Sequence, residues 1–307
     1  MNSTNSSLII RLPNWVGDVV MALPTIKALR EQGISLQLLG KPWINDLLAA
    51  LDLPLFTLEK KFWATRNKIA QIPADKIVLL TNSFSSALSA RLANKQVIGY
   101  STDHRSFLLK QSLTPSASVH EVNYFWNIAA FACQYWFPEI YWPQHLPSTI
   151  HLPLCEKALT RVKELLAAQK IQQPFWVLCP FAQGTGINNQ SKIWPFWSEL
   201  SAALKDKMLL VCPGPQEESQ AAHLVPHARA LTGLNLAEYA ALLSLAEQVI
   251  ANDSGPMHMA AALNPHTLGL FGVSKPQRTQ PWGGTYLGSD TQWPSLDTVL
   301  AQLKIFK

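Results

Sequence analysis

The stretch LIIRLPNWVGDVVMALP, Leu8 to Pro24, decides the fold. Leu8 to Leu12 is an apolar run of strand length, broken only by Arg11. Gly17 permits tight backbone geometry in the turn that follows, and Val19, Val20, Ala22 and Leu23 then recur at helical spacing. A strand that runs through a turn into an amphipathic helix opens a βαβ unit. The alternation continues along the chain. Further strands are predicted at Ser35 to Leu39, Lys76 to Leu80, Gln96 to Tyr100, Phe175 to Cys179, Lys207 to Cys212, Gln248 to Ala251 and Thr267 to Phe271. Helices are predicted at Val19 to Gln32, Ser83 to Leu92, Leu154 to Gln169, Pro195 to Leu204 and Leu236 to Ala246. The fold class is therefore α/β with parallel sheets.

Prolines 138, 143, 147 and 153 crowd the stretch PEIYWPQHLPSTIHLP. Proline fixes φ and lacks a donor, so this stretch is neither helix interior nor central strand and reads as a linker. Two doubly wound, Rossmann-like domains are expected, 1–150 and 151–307, facing a cleft, with the last helix able to pack back on the first domain. Ligands of such sheets bind beyond the carboxyl ends of the strands. The strand-to-helix turns are thus where chemistry is sought.

Composition narrows the class. The 307 residues are 48% hydrophobic and 15% charged, enough apolar surface for a sizeable core, and roughly 100 to 200 residues per domain suggests two. The four cysteines, Cys133, Cys155, Cys179 and Cys212, show no C-x-x-C spacing; they read as reduced packing residues, with neither a disulfide framework nor a metal site. The opening residues lack a basic n-region, so no export signal is expected. The longest aromatic and apolar run, Phe125 to Phe137, is interrupted by Asn127 and Gln134 and falls short of the roughly 20 residues a spanning helix needs. The net charge of +5 is concentrated: Lys60 to Lys110 holds nine basic residues against Asp75 and Asp103, a local +7. Such a face suits nucleic acid, a phosphorylated substrate or an acidic membrane surface, or is an ordinary solvated surface.

Four turns carry candidate chemistry. In the first, Asp18 begins a helix, where it is either an N-cap or a carboxylate positioned to take a proton from a substrate hydroxyl. The second, VIANDSGPMHMAAAL at Val249 to Leu263, places Asp253, Ser254 and Gly255 ahead of a helix with an early proline. Its amides suit an anion such as a diphosphate, and His258 shares a face with Ser254 and Gly255; packing and capping roles remain open for His258 and Asp253. The third, PFAQGTGINNQSKIWP, supplies Thr185, Ser191 and Lys192 beside Gly184 and Gly186, whose expected role is flexibility. Lys192 is the one basic residue from Ile171 to Leu204. The fourth, VCPGPQEES, offers Glu217 or Glu218 to ribose hydroxyls or to a helix start.

Together these turns resemble the lipopolysaccharide heptosyltransferases of glycosyltransferase family 9. The likeness rests on PNWVGDVVMALP, LTNSFSSALSA at Leu80 to Ala90, SKIWP at Ser191 to Pro195, and NDSGPMHMAAAL at Asn252 to Leu263; the first two blocks are most similar to the heptosyltransferase II branch. The resemblance implies a GT-B fold and an inverting, metal-independent transfer without a cofactor, from ADP-heptose to heptosyl-Kdo-lipid A of the lipopolysaccharide inner core. It implies Asp18 as base and Lys192 as donor-phosphate contact. Thr185, Ser191, Glu217, Asp253, Ser254, Gly255 and His258 fall on the donor, and Asn14 and Ser83 on the acceptor. It also makes domain closure the step that completes the site. The setting it implies is the cytoplasmic face of a Gram-negative inner membrane, with peripheral contact through the basic segment and no nucleic-acid partner. A family 9 enzyme for a different sugar or core position, and a non-catalytic nucleotide-sugar binder, are the rival readings.

Overall fold

The computed structural model describes residues 6–116 and 118–305; the opening residues 1–5, read above for an export signal, lie outside them. The chain divides into two compact units, Met1–Pro147 and Ser148–Lys307. No helix or strand lies between Trp136 and Glu156, as expected where prolines crowd.

The first unit holds β1 (Ser7–Arg11), β2 (Ser35–Gly40), β3 (Leu55–Thr57), β4 (Lys76–Leu79), β5 (Gln96–Tyr100) and β6 (Gln111–Leu113). Its helices are α1 (Val16–Met21), α2 (Leu23–Glu31), α3 (Ile44–Leu47), α4 (Phe62–Gln71), α5 (Phe84–Leu92) and α6 (Glu121–Trp136). The second unit holds β7 (Trp176–Cys179), β8 (Leu209–Val211), β9 (Arg229–Ala230), β10 (Gln248–Asn252), β11 (Thr267–Phe271) and β12 (Thr285–Gly288). With them run α7 (Glu156–Ala168), α8 (Trp197–Ala203), α9 (Glu218–Leu224), α10 (Leu236–Leu245), α11 (Gly255–Ala261), α12 (Pro276–Thr279) and α13 (Leu296–Ile305).

Both sheets are six-stranded and parallel, ordered β3-β2-β1-β4-β5-β6 and β12-β11-β10-β7-β8-β9. Counted from its own first strand, the second sheet repeats the order of the first. This is the doubly wound arrangement, with a topological switch point between β1 and β4 in one sheet and between β7 and β10 in the other. Continuous apolar strands are what such sheets require, because helices cover both faces. Leu8, Ile9 and Ile10 are accordingly fully buried. In the first core, Ile9, Ile77 and Val97 pack against Ile69 of α4 and Ala87 of α5. In the second, Trp176, Leu209 and Leu268 pack against Trp194 and Trp197.

Several expectations change. The single helix Val19 to Gln32 is two, parted at Ala22, because Pro24 in the first turn of α2 has no N–H to continue the ladder. The last helix, α13, for which the sequence leaves packing back on the first domain open, places Val299 and Leu303 in the core of the second unit. The basic segment is also less of a surface than its charge suggests. Lys95 is buried and donates to Ile72 O at 2.8 Å. Arg105 is fully buried, donating to Tyr100 O at 3.0 Å and Ser83 O at 3.2 Å. Burial lowers the Arg105 guanidinium to about 10, still charged at neutral pH. No helix among the described residues is long and apolar enough to cross a membrane.

Candidate active site

The motif turns fall at the switch points. The Asp18 turn follows β1 and the Ser83 turn follows β4, on either side of the first sheet's reversal. The Lys192 loop follows β7 and the Asp253 turn follows β10, on either side of the second sheet's reversal. At these places the crossover helices diverge to opposite faces and leave a crevice at the strand ends.

In the first unit, Asp18 is not an N-cap. The cap position of α1 is Trp15, with no side-chain cap bond, and Asp18 sits in the first turn, half-buried. Arg11, at the end of β1, is 7% exposed. It donates to Leu12 O and, at 2.7 Å, to Asn14 Oδ1. Burial lowers its guanidinium to about 10, so it remains a cation at neutral pH beside the turn that carries Asp18. Asn14 is thereby oriented by Arg11, a residue that the sequence reading used only as an interruption in a strand. Ser83 is the N-cap of α5, its hydroxyl accepting from Ser86 N at 3.4 Å. Its carbonyl is held by Ser86 Oγ at 2.6 Å and by Arg105.

In the second unit, the structure brings two motif turns together. Lys192 Nζ lies 2.6 Å from Asp253 Oδ2, with side chains 19% and 5% exposed. Lys192 therefore has a resident carboxylate partner, and the capping alternative for Asp253 falls away: the cap position of α11 is Ser254, with no side-chain cap bond. Ser254 Oγ donates to Asn252 O at 3.3 Å. Gly255 opens α11, and His258 is buried on it. The amide cradle expected here is reduced, because Pro256 has no N–H and Met257 N already donates to Ser254 O at 3.1 Å.

The residue that joins these turns is Asn252, which the sequence reading quoted in its motif and gave no role. Fully buried, it accepts from Trp194 N at 3.1 Å and from Trp197 Nε1 at 3.2 Å, and donates to Pro180 O. One amide thus ties the end of β10 to the end of β7 and to the segment just after Lys192. The signal in the sequence was a polar residue closing an apolar strand.

The two glycines of the Lys192 loop differ: Gly186 is required by close packing and Gly184 by its left-handed backbone. A Cβ on Gly186 would stand 2.3 Å from Val273 O, while Gly184 takes φ +82. Gly186 N donates to Gln190 O at 2.8 Å, and Thr185 bridges Ser191 antiparallel, so the loop doubles back before Lys192. Thr185 and Ser191 are both exposed there. Glu217 precedes α9, and its Oε2 accepts from Gly214 N at 2.9 Å; Glu218 is the first helical residue and exposed. Among the described residues, no group of three or more His, Cys, Asp or Glu gathers as a metal-binding cluster.

The profile of glycosyltransferase family 9 (heptosyltransferase) matches residues 62–297. The chain belongs to that family. As a family 9 glycosyltransferase it resembles lipooligosaccharide heptosyltransferase 2 of Haemophilus ducreyi, 26% identical over 306 residues, 88% of this chain and 84% of that protein. It also resembles lipopolysaccharide heptosyltransferase 2 of Escherichia coli, 25% identical over 303 residues, 88% of this chain and 83% of that one. The solved E. coli ADP-heptose lps heptosyltransferase II superposes with a TM-score of 0.80 at 21% identity, covering 98% of both chains. E. coli heptosyltransferase WaaC with ADP superposes at 0.76 and 16% identity, covering 98% of this chain and all of that one. The glycosyltransferase thus has the GT-B fold. The family profile spans Ser83, Lys192 and Asp253 and begins beyond the Asp18 turn.

Proposed function

We propose that this glycosyltransferase moves heptose from ADP-heptose onto the heptosyl-Kdo-lipid A inner core of lipopolysaccharide, with inversion and without a metal. The observation that carries the reading is the Lys192–Asp253 pair at the second sheet's switch point, a cation held beside a helix head where a diphosphate leaving group would need one. Inversion requires a base on one side of the anomeric carbon and a stabilised leaving group on the other. Asp18 takes the proton of the acceptor hydroxyl as that oxygen bonds to the anomeric carbon and the bond to ADP breaks. Lys192 balances the charge appearing on the departing diphosphate. Asp253 orients Lys192 and, with Ser254 and His258, faces the donor, while Glu217 contacts ribose and Asn14 and Ser83 the acceptor. The named relatives act on lipopolysaccharide or lipooligosaccharide, which supports the acceptor class and a working place at the cytoplasmic face of the inner membrane.

The test is to incubate the protein, in chelator, with ADP-heptose and either Kdo-lipid A or its mono-heptosylated form, and to weigh the products. One added heptose on the mono-heptosylated acceptor is expected. No mass gain on either acceptor would refute the assignment and leave a family 9 enzyme for another sugar or core position.

A further inference from the structure

We propose that Trp15 and Lys41 form a recognition element for an acidic sugar beside the Asp18 turn, in which the Trp15 ring carries the face of a pyranose and the Lys41 ammonium meets an oxyanion, carboxylate or phosphate, on that sugar. The inference rests on the proposed function for its purpose, since the sugar recognised would be the acceptor, and it adds the residues that select the acceptor's ring and charge.

Placement follows from the first two strands. β1 and β2 lie side by side, and just beyond β1 Leu12 N donates to Leu39 O at 2.9 Å. Trp15 leaves the carboxyl end of β1, its carbonyl accepting from Val19 N at 3.1 Å. Lys41 leaves the carboxyl end of β2, where Leu58 N donates to Gly40 O at 2.7 Å and Ile44 N to Lys41 O at 3.0 Å. Both side chains spring from backbone held by hydrogen bonds, and they meet: Lys41 Nζ stands 5.5 Å from the centre of the Trp15 ring. Asp18 belongs to the same arrangement. Trp15 is the cap position of α1 and Asp18 the third helical residue, the two positions whose side chains are neighbours in a capping box. A sugar ring lying on Trp15 is therefore within reach of the carboxylate proposed as base.

Exposure and charge name the ligand. Trp15 is 56% exposed, and Asn14, held by Arg11, directly precedes it. A single exposed aromatic is ordinary, and a cation over its face at the surface adds little stability, so location decides. This ring stands in the turn that carries the base, against a lysine with no ion-pair partner among the described residues. The acidic residue that follows on the same segment, Asp46 of α3, is exposed. Arg11, the other cation of this edge, is committed to Leu12 O and Asn14. Lys41 thus has its charge to offer. A flat apolar surface beside an uncommitted cation and an amide fits a hydroxylated ring that bears negative charge. A neutral sugar would leave Lys41 unused, and a nucleotide already has its cation in Lys192 of the second sheet.

The experiment is a titration of the full chain, saturated with ADP, followed by saturation-transfer NMR. The probes are the methyl glycoside of Kdo, which bears a carboxylate, a hexose phosphate, and neutral methyl mannoside. The wild type should hold at least one acidic sugar about tenfold more tightly than the neutral one, as expected for a hydrogen bond to a charged group, and the sugar held tells carboxylate from phosphate. Trp15→Ala should weaken acidic and neutral sugars alike by about tenfold, the scale of one lost aromatic contact, and Trp15→Phe should recover most of it. Lys41→Met should weaken the acidic sugar about tenfold and leave the neutral one unchanged, a loss of discrimination that structural damage would not produce. Thermal melts and ADP affinity should match wild type in all of these variants. Where transfer is measured, Trp15→Ala should raise the acceptor KM and leave the donor KM alone. That arm depends on the proposed activity, whereas the sugar titration does not, so the two can fail separately. Equal affinity of the wild type for acidic and neutral sugars, or binding of neither, would overturn the element. So would variants that bind like wild type, or a Trp15→Ala protein that loses ADP, which would put the nucleotide on the ring.

Discussion

Replacing Lys192 with Met would strand the Asp253 carboxylate, 5% exposed, without its cation. At an effective dielectric of about 20, unit charges about 4 Å apart attract by about 4 kcal/mol. Desolvation of both groups offsets part of this, leaving a net coupling of about 2 to 3 kcal/mol. Lys192→Met alone should cost about 3 kcal/mol, the lower end of what breaking a buried pair costs, since the lysine is 19% exposed and the site is not fully dry. For a unit of this size that is a fall of about 6 to 12 °C in the thermal midpoint. Asp253→Asn should cost less, because a freed lysine can reach water, and the double variant should recover most of the loss. Urea unfolding of the four proteins closes the cycle, and calorimetric titration with ADP reads the functional side. Lys192→Met should weaken ADP about 10- to 100-fold, as expected for a lost hydrogen bond to a charged group, whereas Asp253→Asn, which keeps the cation and loses only its orientation, should weaken it less. Additive stability losses would refute the coupling. An unchanged ADP affinity in Lys192→Met would refute the phosphate role of that lysine.

Three further outcomes are expected. Asp18→Asn should lower kcat by about 10²- to 10⁴-fold with donor affinity intact, and full turnover would remove Asp18 as the base. Asn252→Ala, which strands buried donors and an acceptor on three segments, should cost about 3 kcal/mol in urea unfolding and weaken ADP binding with it; a stable variant that no longer binds ADP would mean that Asn252 touches the ligand. Burial pushes the Cys133 and Cys179 thiols up to about 12 and Cys212 well above its usual value. A raised thiol pKa keeps the proton on, so at pH 8 these three carry almost no thiolate. A thiol reagent should label no more than one cysteine of the native protein and all four after unfolding; rapid labelling of more than one would contradict the packing.

How the candidate site was legible follows from how short its signals are. The Asp18, Lys192 and Asp253 turns could be located because each follows a strand whose apolar run is continuous. The pairing of Lys192 with Asp253 could not, because 61 residues separate them in the sequence and their meeting depends on β7 and β10 lying side by side. Asn252 was overlooked for the same reason: its partners Pro180, Trp194 and Trp197 are distant along the chain. Gly186 was misread because close approach to Val273 O is a property of space, not of a loop's composition.

The fold divides along a similar line. The eight strands predicted from apolar runs are the buried inner strands β1, β2, β4, β5, β7, β8, β10 and β11. The four that escaped, β3, β6, β9 and β12, are the sheet edges, where short length and partial exposure erase the apolar pattern. By itself the sequence determined the α/β class, the helix- and strand-free stretch rich in proline and the positions of the turns that carry Asp18, Lys192 and Asp253, since burial on both faces imposes continuous apolar strands and proline and glycine mark where they stop. Only the tertiary structure decided that both sheets share one strand order, that two of the nine basic residues in the charged segment are buried, and that the lysine of one turn is paired with the aspartate of another. Those are long-range facts, settled by which strands lie next to each other, and local pattern carries no record of that adjacency.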